Sequence, residues 1–358
     1  MSEIFNEGFE GMGTAADSSA TIQALLEKRY PGGVLTNGNG VQLVAAEAAD
    51  GSFALRWGTT TSGESNSLFV PLGDQSGKTL IVGMRIKLSS SVVSDYAVMT
   101  LRGVITTTIT DQLSVQIQNN ADIRLVRGFT EIGISAGVLT AGSDHYIELE
   151  AEVGNSATAK VYVDGVLEIN FTGDTQNGST NAVDELEING VESESAGDFG
   201  STDDIYCFNT DGSLNNARLG PSANVRYYTA ASDGMPTNWT PSSAVDHYTL
   251  VDENPESSSD YVESSTAGQI ELFGMETVTA DDIASVTLEM IGIAATVGAP
   301  AIRGKAVRTS TTNGARQTFT DTTDEVVLRE TFPTDPFTGV AWLDTGVNAA
   351  EFGIERIA

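Results

Sequence analysis

The chain has 358 residues, 40% of them hydrophobic, with 37 glycines and a formal charge of −31 from 49 acidic against 18 basic side chains. That length exceeds most single β domains and sets an expectation of two. The charge argues against nucleic acid and anionic membranes as partners, because phosphate binding works through cationic side chains that release counterions.

The N-terminus, Met1-Ser2-Glu3-Ile4-Phe5, has no basic stretch followed by an apolar run, so a product made without classical export is expected. Ser18–Tyr30 carries the one strong helix signal. Ser18 or Ser19 can cap it, Ile22, Leu25 and Leu26 form an apolar face, and Pro31-Gly32-Gly33 stops it. Period-two alternation then predicts strands over Val41–Ala45, Ser52–Trp57, Ser67–Pro71, Thr79–Leu88, Tyr96–Arg102, Leu113–Gln118, Ile123–Gly128 and Ile132–Ser135. Tyr146–Val153, Ala159–Val163, Val166–Thr172, Glu185–Ile188 and Asp204–Phe208 follow with the same signature. Turn chemistry separates them at 37–40, Asp50-Gly51, Asn119-Asn120, Asp164-Gly165 and Asn177-Gly178. Turns at about 8–12 residue intervals suit a sandwich or jelly roll.

Between Asn209 and Ala223 the alternation lapses into polar, turn-rich sequence, which places a domain boundary there and gives domains of 1–210 and 211–358. Strands resume at Val225–Thr229, Tyr248–Leu250, Gly268–Phe273, Ala284–Ala295, Ala301–Arg308, Gln317–Thr320, Glu325–Phe332 and Gly353–Ile357, with one further helical turn expected at Asp281–Ala284. The most apolar window, Val286–Ile302, is broken by Glu289 and Pro300 and is too short to cross a bilayer, so no membrane insertion is expected.

Few side chains combine into a chemical pattern. Cys207 is the only cysteine, excludes an intrachain disulfide and reads as a buried thiol. Glu187 and Glu192 loosely match an E-x-D-x-x-E strand of a jelly-roll glycoside hydrolase, but they stand five apart and Asn189 replaces the middle acid. His145 and His247 each sit beside a tyrosine at a strand start with no nucleophile elbow in view, so strand-edge packing outranks catalysis. Asp174, Asp203, Asp204 and the Asp252–Asp260 loop offer oxygen ligands of the kind Ca²⁺ takes, without any EF-hand spacing. No cofactor is assigned, and calcium is the one candidate ion. Trp57 shares a strand face with Phe53 and Leu55 and reads as core, Trp342 as part of an ordered loop packed on the second domain, and Trp239, before Thr240-Pro241, as the better sugar-contact candidate, with Tyr227-Tyr228 as further aromatics. No catalytic, cofactor-binding or metal residue is assigned.

The run Asp144–Val153 followed by Lys160–Ile169, with Tyr162-Val163-Asp164-Gly165 between strands, resembles the core hairpin of laminin-G and concanavalin-A-like jelly rolls. Over nearly its full length the chain resembles a family of tailed-bacteriophage virion proteins. The resemblance is carried by the order of Glu7-Gly8-Phe9-Glu10-Gly11, the His145-Tyr146 strand, Thr172-Gly173-Asp174-Thr175-Gln176, Asp203-Asp204-Ile205-Tyr206, Asn238-Trp239-Thr240-Pro241, His247-Tyr248, Asp260-Tyr261-Val262 and Asp335-Pro336-Phe337-Thr338-Gly339. It implies an all-β chain: an N-terminal lectin-like jelly-roll sandwich and a smaller C-terminal β domain. It further implies a non-enzymatic structural component of a bacteriophage particle, in a tail, fibre or head-surface role. Such a component would be assembled in the host cytoplasm and resident in the virion, with other virion proteins and copies of itself as partners. The alternative on the same scaffold is an adhesin for a host-surface glycan, and a glycan hydrolase stands third.

Overall fold

The computed structural model describes residues 3–12, 18–30, 33–36, 41–44, 54–58, 66–88, 95–105, 108–189, 199–211, 215–243, 245–254, 256–280, 282–294, 300–319 and 325–357. The turns expected at 37–40 and 50–51, and Glu192, lie outside them. The fold is nearly all β, and the chain forms two compact units, Met1–Arg226 and Tyr227–Ala358.

The first unit contains β1 (Glu3–Glu7), helix α1 (Ser19–Arg29), β2 (Val34–Thr36), β3 (Val41–Val44), β4 (Ala54–Gly58), β5 (Asn66–Pro71), β6 (Thr79–Leu88), β7 (Tyr96–Ile105) and β8 (Thr108–Ile117). It continues through β9 (Ile123–Arg127), β10 (Thr130–Ser135), β11 (Asp144–Glu152), β12 (Ala157–Val163), β13 (Val166–Gly173), β14 (Glu185–Asn189) and β15 (Phe199–Asn209). These make an antiparallel sandwich of jelly-roll type. One sheet runs β13-β12-β11-β6-β15-β4-β3 with β1 also paired to β15, and is eight-stranded; the other runs β10-β9-β8-β7-β14-β5-β2 and is seven-stranded.

Alternation decides which face each side chain takes. In β6 and β11 the pairs Val82↔Leu149, Met84↔Ile147 and Ile86↔His145 fix a register that turns Val82, Met84, Ile147 and Leu149 inward. Met99, Leu101, Leu113, Val115, Leu186 and Ile188 come from the other sheet to meet them in one core. The helix behaves as its sequence demands. Ser18 caps it by accepting from the Thr21 N–H at 3.2 Å, and Ile22, Leu25 and Leu26 are buried in the same core. Asp164 and Gly165 have φ of 50° and 82°, the paired positive values of a two-residue hairpin turn, and join β12 to β13.

Residues 211–226, expected to open the second domain, belong to the first unit. The described part of this segment is an irregular strap held to the outer face of the eight-stranded sheet. Arg218 pairs with Glu148 at 2.6 Å, the Gly220 N–H donates to Glu148 at 3.0 Å, and the Leu219 N–H donates to the Tyr206 hydroxyl at 3.0 Å. Farther along, the Val225 N–H donates to Asp204 at 2.8 Å, and Arg85 donates to Asp204 at 3.0 Å and to the Pro221 carbonyl at 3.1 Å.

The second unit has β16 (Ala230–Thr237), β17 (Thr240–Pro241), β18 (Val262–Glu263), β19 (Ile270–Met275), β20 (Val286–Gly292), β21 (Ala301–Val307), β22 (Thr311–Asn313), β23 (Gln317–Thr318), β24 (Val326–Phe332), helix α2 (Asp344–Asn348) and β25 (Glu351–Arg356). Its main sheet runs β16-β19-β25-β21-β22 with β23 on β21, and β20 pairs antiparallel with β24 in a separate two-stranded ladder. Trp342, Phe332, Phe352 and Val347 make one small core; Met290, Ile302 and Phe319 make another. Three local expectations change here. Val225–Thr229 is irregular and the strand begins at Ala230; Tyr248–Leu250 lies in a 3₁₀ turn, His247–Leu250; and Ile283 bridges Trp342 in place of a helical turn. In each, a short apolar run was read by local pattern, while tertiary pairing decided the outcome. Among the described residues no helix is long and apolar enough to cross a membrane.

Candidate functional site

The outer face of the seven-stranded sheet gathers the most chemistry. In β14 the core takes Leu186 and Ile188, so Glu185, Glu187 and Asn189 point outward together. Register places Glu185 beside Arg102 and Pro71, Glu187 beside Thr100 and Phe69, and Asn189 beside Ser67. On the far side of β7, Thr100 faces Ser114 and Arg102 faces Asp111.

Arg102 is the centre. Its Nη1 lies 3.0 Å from Glu185 and its Nε 3.3 Å from Asp111 and 3.7 Å from Glu187, while its guanidinium stacks 4.7 Å from the Phe69 ring centroid. The Nε is buried and makes no hydrogen bond among the described residues, because the geometry to Asp111 is that of a charge contact only. Around it, Thr100 and Ser114 share a hydroxyl–hydroxyl bond of 3.0 Å, and the Ser67 hydroxyl donates to Asn189 at 2.7 Å. Arg124 donates to Gln116 at 2.8 Å and approaches Asp95 at 3.4 Å. Burial pushes the Glu185 and Glu187 carboxyls above the ordinary glutamate range, against the opposing pull of Arg102. The face therefore offers acceptors, donors, hydroxyls and one aromatic ring within a few strands, and its carboxyls hold a proton more readily than free glutamate does.

The carboxylate pair differs from the one the sequence suggested. Glu187 does sit on this face, but its partner is Glu185, two residues away and about 7 Å along the strand; Glu192 is outside the described residues. Period-two reading of Glu-Leu-Glu-Ile-Asn would have found Glu185. Arg102, more than 80 residues earlier in the chain, is joined to it only by register.

The histidines are structural. The Thr140 N–H donates to Nε2 of His145 at 2.8 Å, so the ring proton lies on Nδ1 and is donated to Asp164 at 2.8 Å. This ties the start of β11 to the β12–β13 turn, where Asp164 also accepts the Tyr146 N–H at 2.8 Å. His247 lies 2.6 Å from the fully buried Glu271, which also accepts the Trp239 N–H at 2.8 Å. Burial pushes the Glu271 carboxyl up, and the Trp239 and His247 contacts draw it back. Trp239 itself is half-buried against the Met290 core and donates its ring N–H to the Gln269 carbonyl at 3.3 Å, so it is a packing residue more than a free platform. Trp342 is buried, with its N–H on the Phe332 carbonyl at 2.8 Å. The backbone of Trp57 lies on β4, with its side chain outside the described residues. Tyr228 packs on the second unit's core, and Cys207 is buried in the first.

The acidic residues named for calcium are engaged elsewhere. Asp174 pairs with Arg127 at 2.6 Å, Asp203 accepts the Asp204 N–H at 2.8 Å, and Asp260 accepts from Ser257 at 3.0 Å. Among the described residues no group of three or more His, Cys, Asp or Glu side chains is gathered to hold a metal ion.

No known protein family and no curated protein matches the chain. Solved structures similar to it include the endo-β-1,4-glucuronan lyase of the fungus Trichoderma reesei, at 16% identity and a TM-score of 0.39 over 52% of this chain and 97% of that one. A carbohydrate esterase from the Shiga toxin-encoding bacteriophage phi24B aligns at 16% identity and 0.37, over 49% and 90%. A solved alginate lyase aligns at 12% identity and 0.41, over 57% and 95%. These likenesses transfer no residue role to this chain. They do correct one expectation: the exclusion of enzyme activity does not stand, because structures similar to the chain include polysaccharide lyases.

Proposed function

We propose that the chain is a component of a bacteriophage particle whose sandwich unit engages a host-surface glycan on the outer face of the seven-stranded sheet. The observation that carries the glycan reading is the Arg102 cluster: Glu185, Glu187 and Asp111 around one guanidinium, with Phe69 beneath it and Thr100, Ser114, Ser67 and Asn189 beside it. Saccharides present hydroxyl arrays with apolar ring faces. Donors, acceptors and an aromatic ring set in one shallow surface are the complement of such a ligand. The particle assignment is supported by the ordered motifs in the sequence. Other particle proteins and further copies of the chain are proposed partners, in the virion and without nucleic-acid contact.

Two measurements test this. Immunogold microscopy of purified particles with an antibody against residues 227–358 should label the particle; absence of label overturns the particle reading. A neutral and charged glycan array probed with the full chain should give binding that Arg102→Met lowers by at least about tenfold, as loss of charge-assisted contacts implies. Binding indifferent to Arg102→Met would move the site elsewhere. The same samples, assayed for shortened glycan products, report whether the bound saccharide is turned over.

A further inference from the structure

The main sheet of the second unit brings a lysine, an asparagine and a glutamate together. In β21 the residues Ile302 and Ala306 face the two small cores, so Lys305 lies on the opposite face of the sheet. Phe352 and Ile354 fix the parity of β25 in the same way and put Glu355 on the Lys305 face. It stands two residues along from Gly353, which pairs with the lysine and presents no side chain. On its other flank Lys305 pairs in register with Asn313 of β22, the three-residue strand at the end of the sheet. Three side chains from three adjacent strands thus meet at one nitrogen. The Lys305 Nζ donates to the Asn313 Oδ1 at 2.6 Å and lies 2.7 Å from the Glu355 carboxylate. The lysine and glutamate side chains are only 4% and 12% exposed, and Arg303, 2.7 Å from Glu355, holds the carboxylate in place.

An amine, a carboxamide carbon and a carboxylate in contact make a complete acyl-transfer set: nucleophile, electrophile and proton carrier. The Asn313 Cγ is one C=O bond beyond Oδ1, about 3–4 Å from Nζ and close to attack range. We propose that Lys305 and Asn313 join in an intramolecular isopeptide bond, with Glu355 moving the protons. Glu355 takes a proton from the Lys305 ammonium, and the freed lone pair on Nζ attacks Cγ, forming the Nζ–Cγ bond. Glu355 hands that proton to Nδ2 and takes a second from Nζ. The Cγ–Nδ2 bond then breaks, and the departing ammonia collects the second proton. Glu355 ends as a carboxylate, and the positive charge of Lys305 leaves with the ammonium. No oxidant, cofactor or second substrate enters the balance. The competing nucleophile at an Asn-Gly step is the next backbone nitrogen, which closes a cyclic imide. Here the Gly314 N–H is committed to the Gly304 carbonyl at 2.8 Å, which favours the lysine. The bond ties β22 to its neighbour at an edge otherwise held by three paired residues.

The test is the intact mass of the full chain, incubated folded and then denatured. It should lie about 17 Da, one ammonia, below the mass of the 37.6 kDa sequence. Trypsin should release residues 304–308 joined to 309–316 as one branched peptide, uncut after Lys305. Asn313→Ala, at an exposed edge position, and Glu355→Gln should each restore the full mass. Mild alkali separates the bond from a cyclic imide of equal mass: the imide opens to a carboxylate about 1 Da above the parent, while the isopeptide keeps its deficit. A full mass after prolonged incubation overturns the proposal, and so does a deficit that alkali removes. A deficit that survives Lys305→Met, in a chain whose far-UV spectrum is unchanged, overturns it as well.

Discussion

The two outer faces of the sandwich carry similar side chains and treat them in opposite ways. On the eight-stranded sheet, Glu148, Tyr206, Arg85 and Asp204 are roofed by the chain's own strap: its backbone N–H groups and Arg218 donate to Glu148, Tyr206 and Asp204, and its Pro221 carbonyl accepts from Arg85. On the seven-stranded sheet, Arg102 is shared among three carboxylates, and its Nε is left without a hydrogen bond among the described residues. A polar cluster that the fold itself completes is architecture. One left short of donors, with part of its surface open, is where a ligand gains most by binding.

The largest expected effect breaks the completed face. Arg218→Met removes the partner of a carboxylate that has no exposure at all, while Arg218 is a quarter exposed and stacks 3.4 Å from the Tyr162 ring centroid. Leaving such a charge unpaired costs about 3 kcal/mol, since water reaches the guanidinium side and softens the full penalty for a buried pair. The denaturant midpoint of the full chain should fall accordingly, and protease cleavage within 215–226 should appear well before global unfolding. An unchanged midpoint with an uncut strap would mean that Glu148 is held by Tyr206 and Gly220 alone.

Gly83→Ala should act next, and on the same face. Gly83 lies opposite Tyr206 in the β6–β15 ladder, and a Cβ there would overlap the tyrosine ring. That ring stacks with Tyr146 at 6.4 Å and packs tilted against Phe208 at 4.8 Å, so it has little room to yield. Overpacking of this kind costs about 1–3 kcal/mol. The loss should be read in the melting temperature, and Gly83→Ala combined with Tyr206→Leu should lose less than the sum of the two single losses, because the second substitution removes the ring that the new methyl group meets.

The same contrast explains what the sequence disclosed. Alternation in Tyr146–Val153 and the Asp164-Gly165 turn gave strands, hairpin and the sandwich class, because those signals are local. Ser18 and Pro31 bounded α1 for the same reason. The strap was hidden: 211–223 is polar and turn-rich, which reads as a linker unless one knows that Glu148 and Asp204 wait beneath it. The candidate site was half visible. Glu187 stood out by motif, but Arg102, Asp111, Thr100 and Phe69 come from three other strands, and nothing short of the register β5-β14-β7-β8 assembles them. Helix α2 escaped for another reason, since Asp-Thr-Gly-Val-Asn lacks helix formers and is held by tertiary contacts, with the Asn348 side chain donating to the Val278 carbonyl at 2.8 Å.

The smallest effect is the one whose sign separates the faces. Replacing Glu187 by Gln removes a like charge from the crowded side, so stability should hold or rise by up to about 1 kcal/mol, where Arg218→Met lowers it. The pH dependence follows from the same crowding. Glu185 and Glu187 have carboxyls raised by burial in the fold, so the folded chain binds their protons more tightly than the unfolded chain does. Stability from these two groups is therefore present below the ordinary glutamate value of 4.5 and is lost as pH rises from there through their folded values. Against the upward push of burial, Asp335 is lowered by the Phe337 N–H, the Thr338 hydroxyl and Arg308, and Glu355 by Lys305 and Arg303; both titrate with the opposite sign and lose their contribution as the solution is acidified. The Glu185→Gln, Glu187→Gln double variant should thus flatten the decline above pH 4.5 and leave the acid limb as it was, in melting curves taken across that range. If the upper limb keeps its slope, the carboxylates of the seven-stranded face are already compensated, and the contrast between the two faces is one of shape alone.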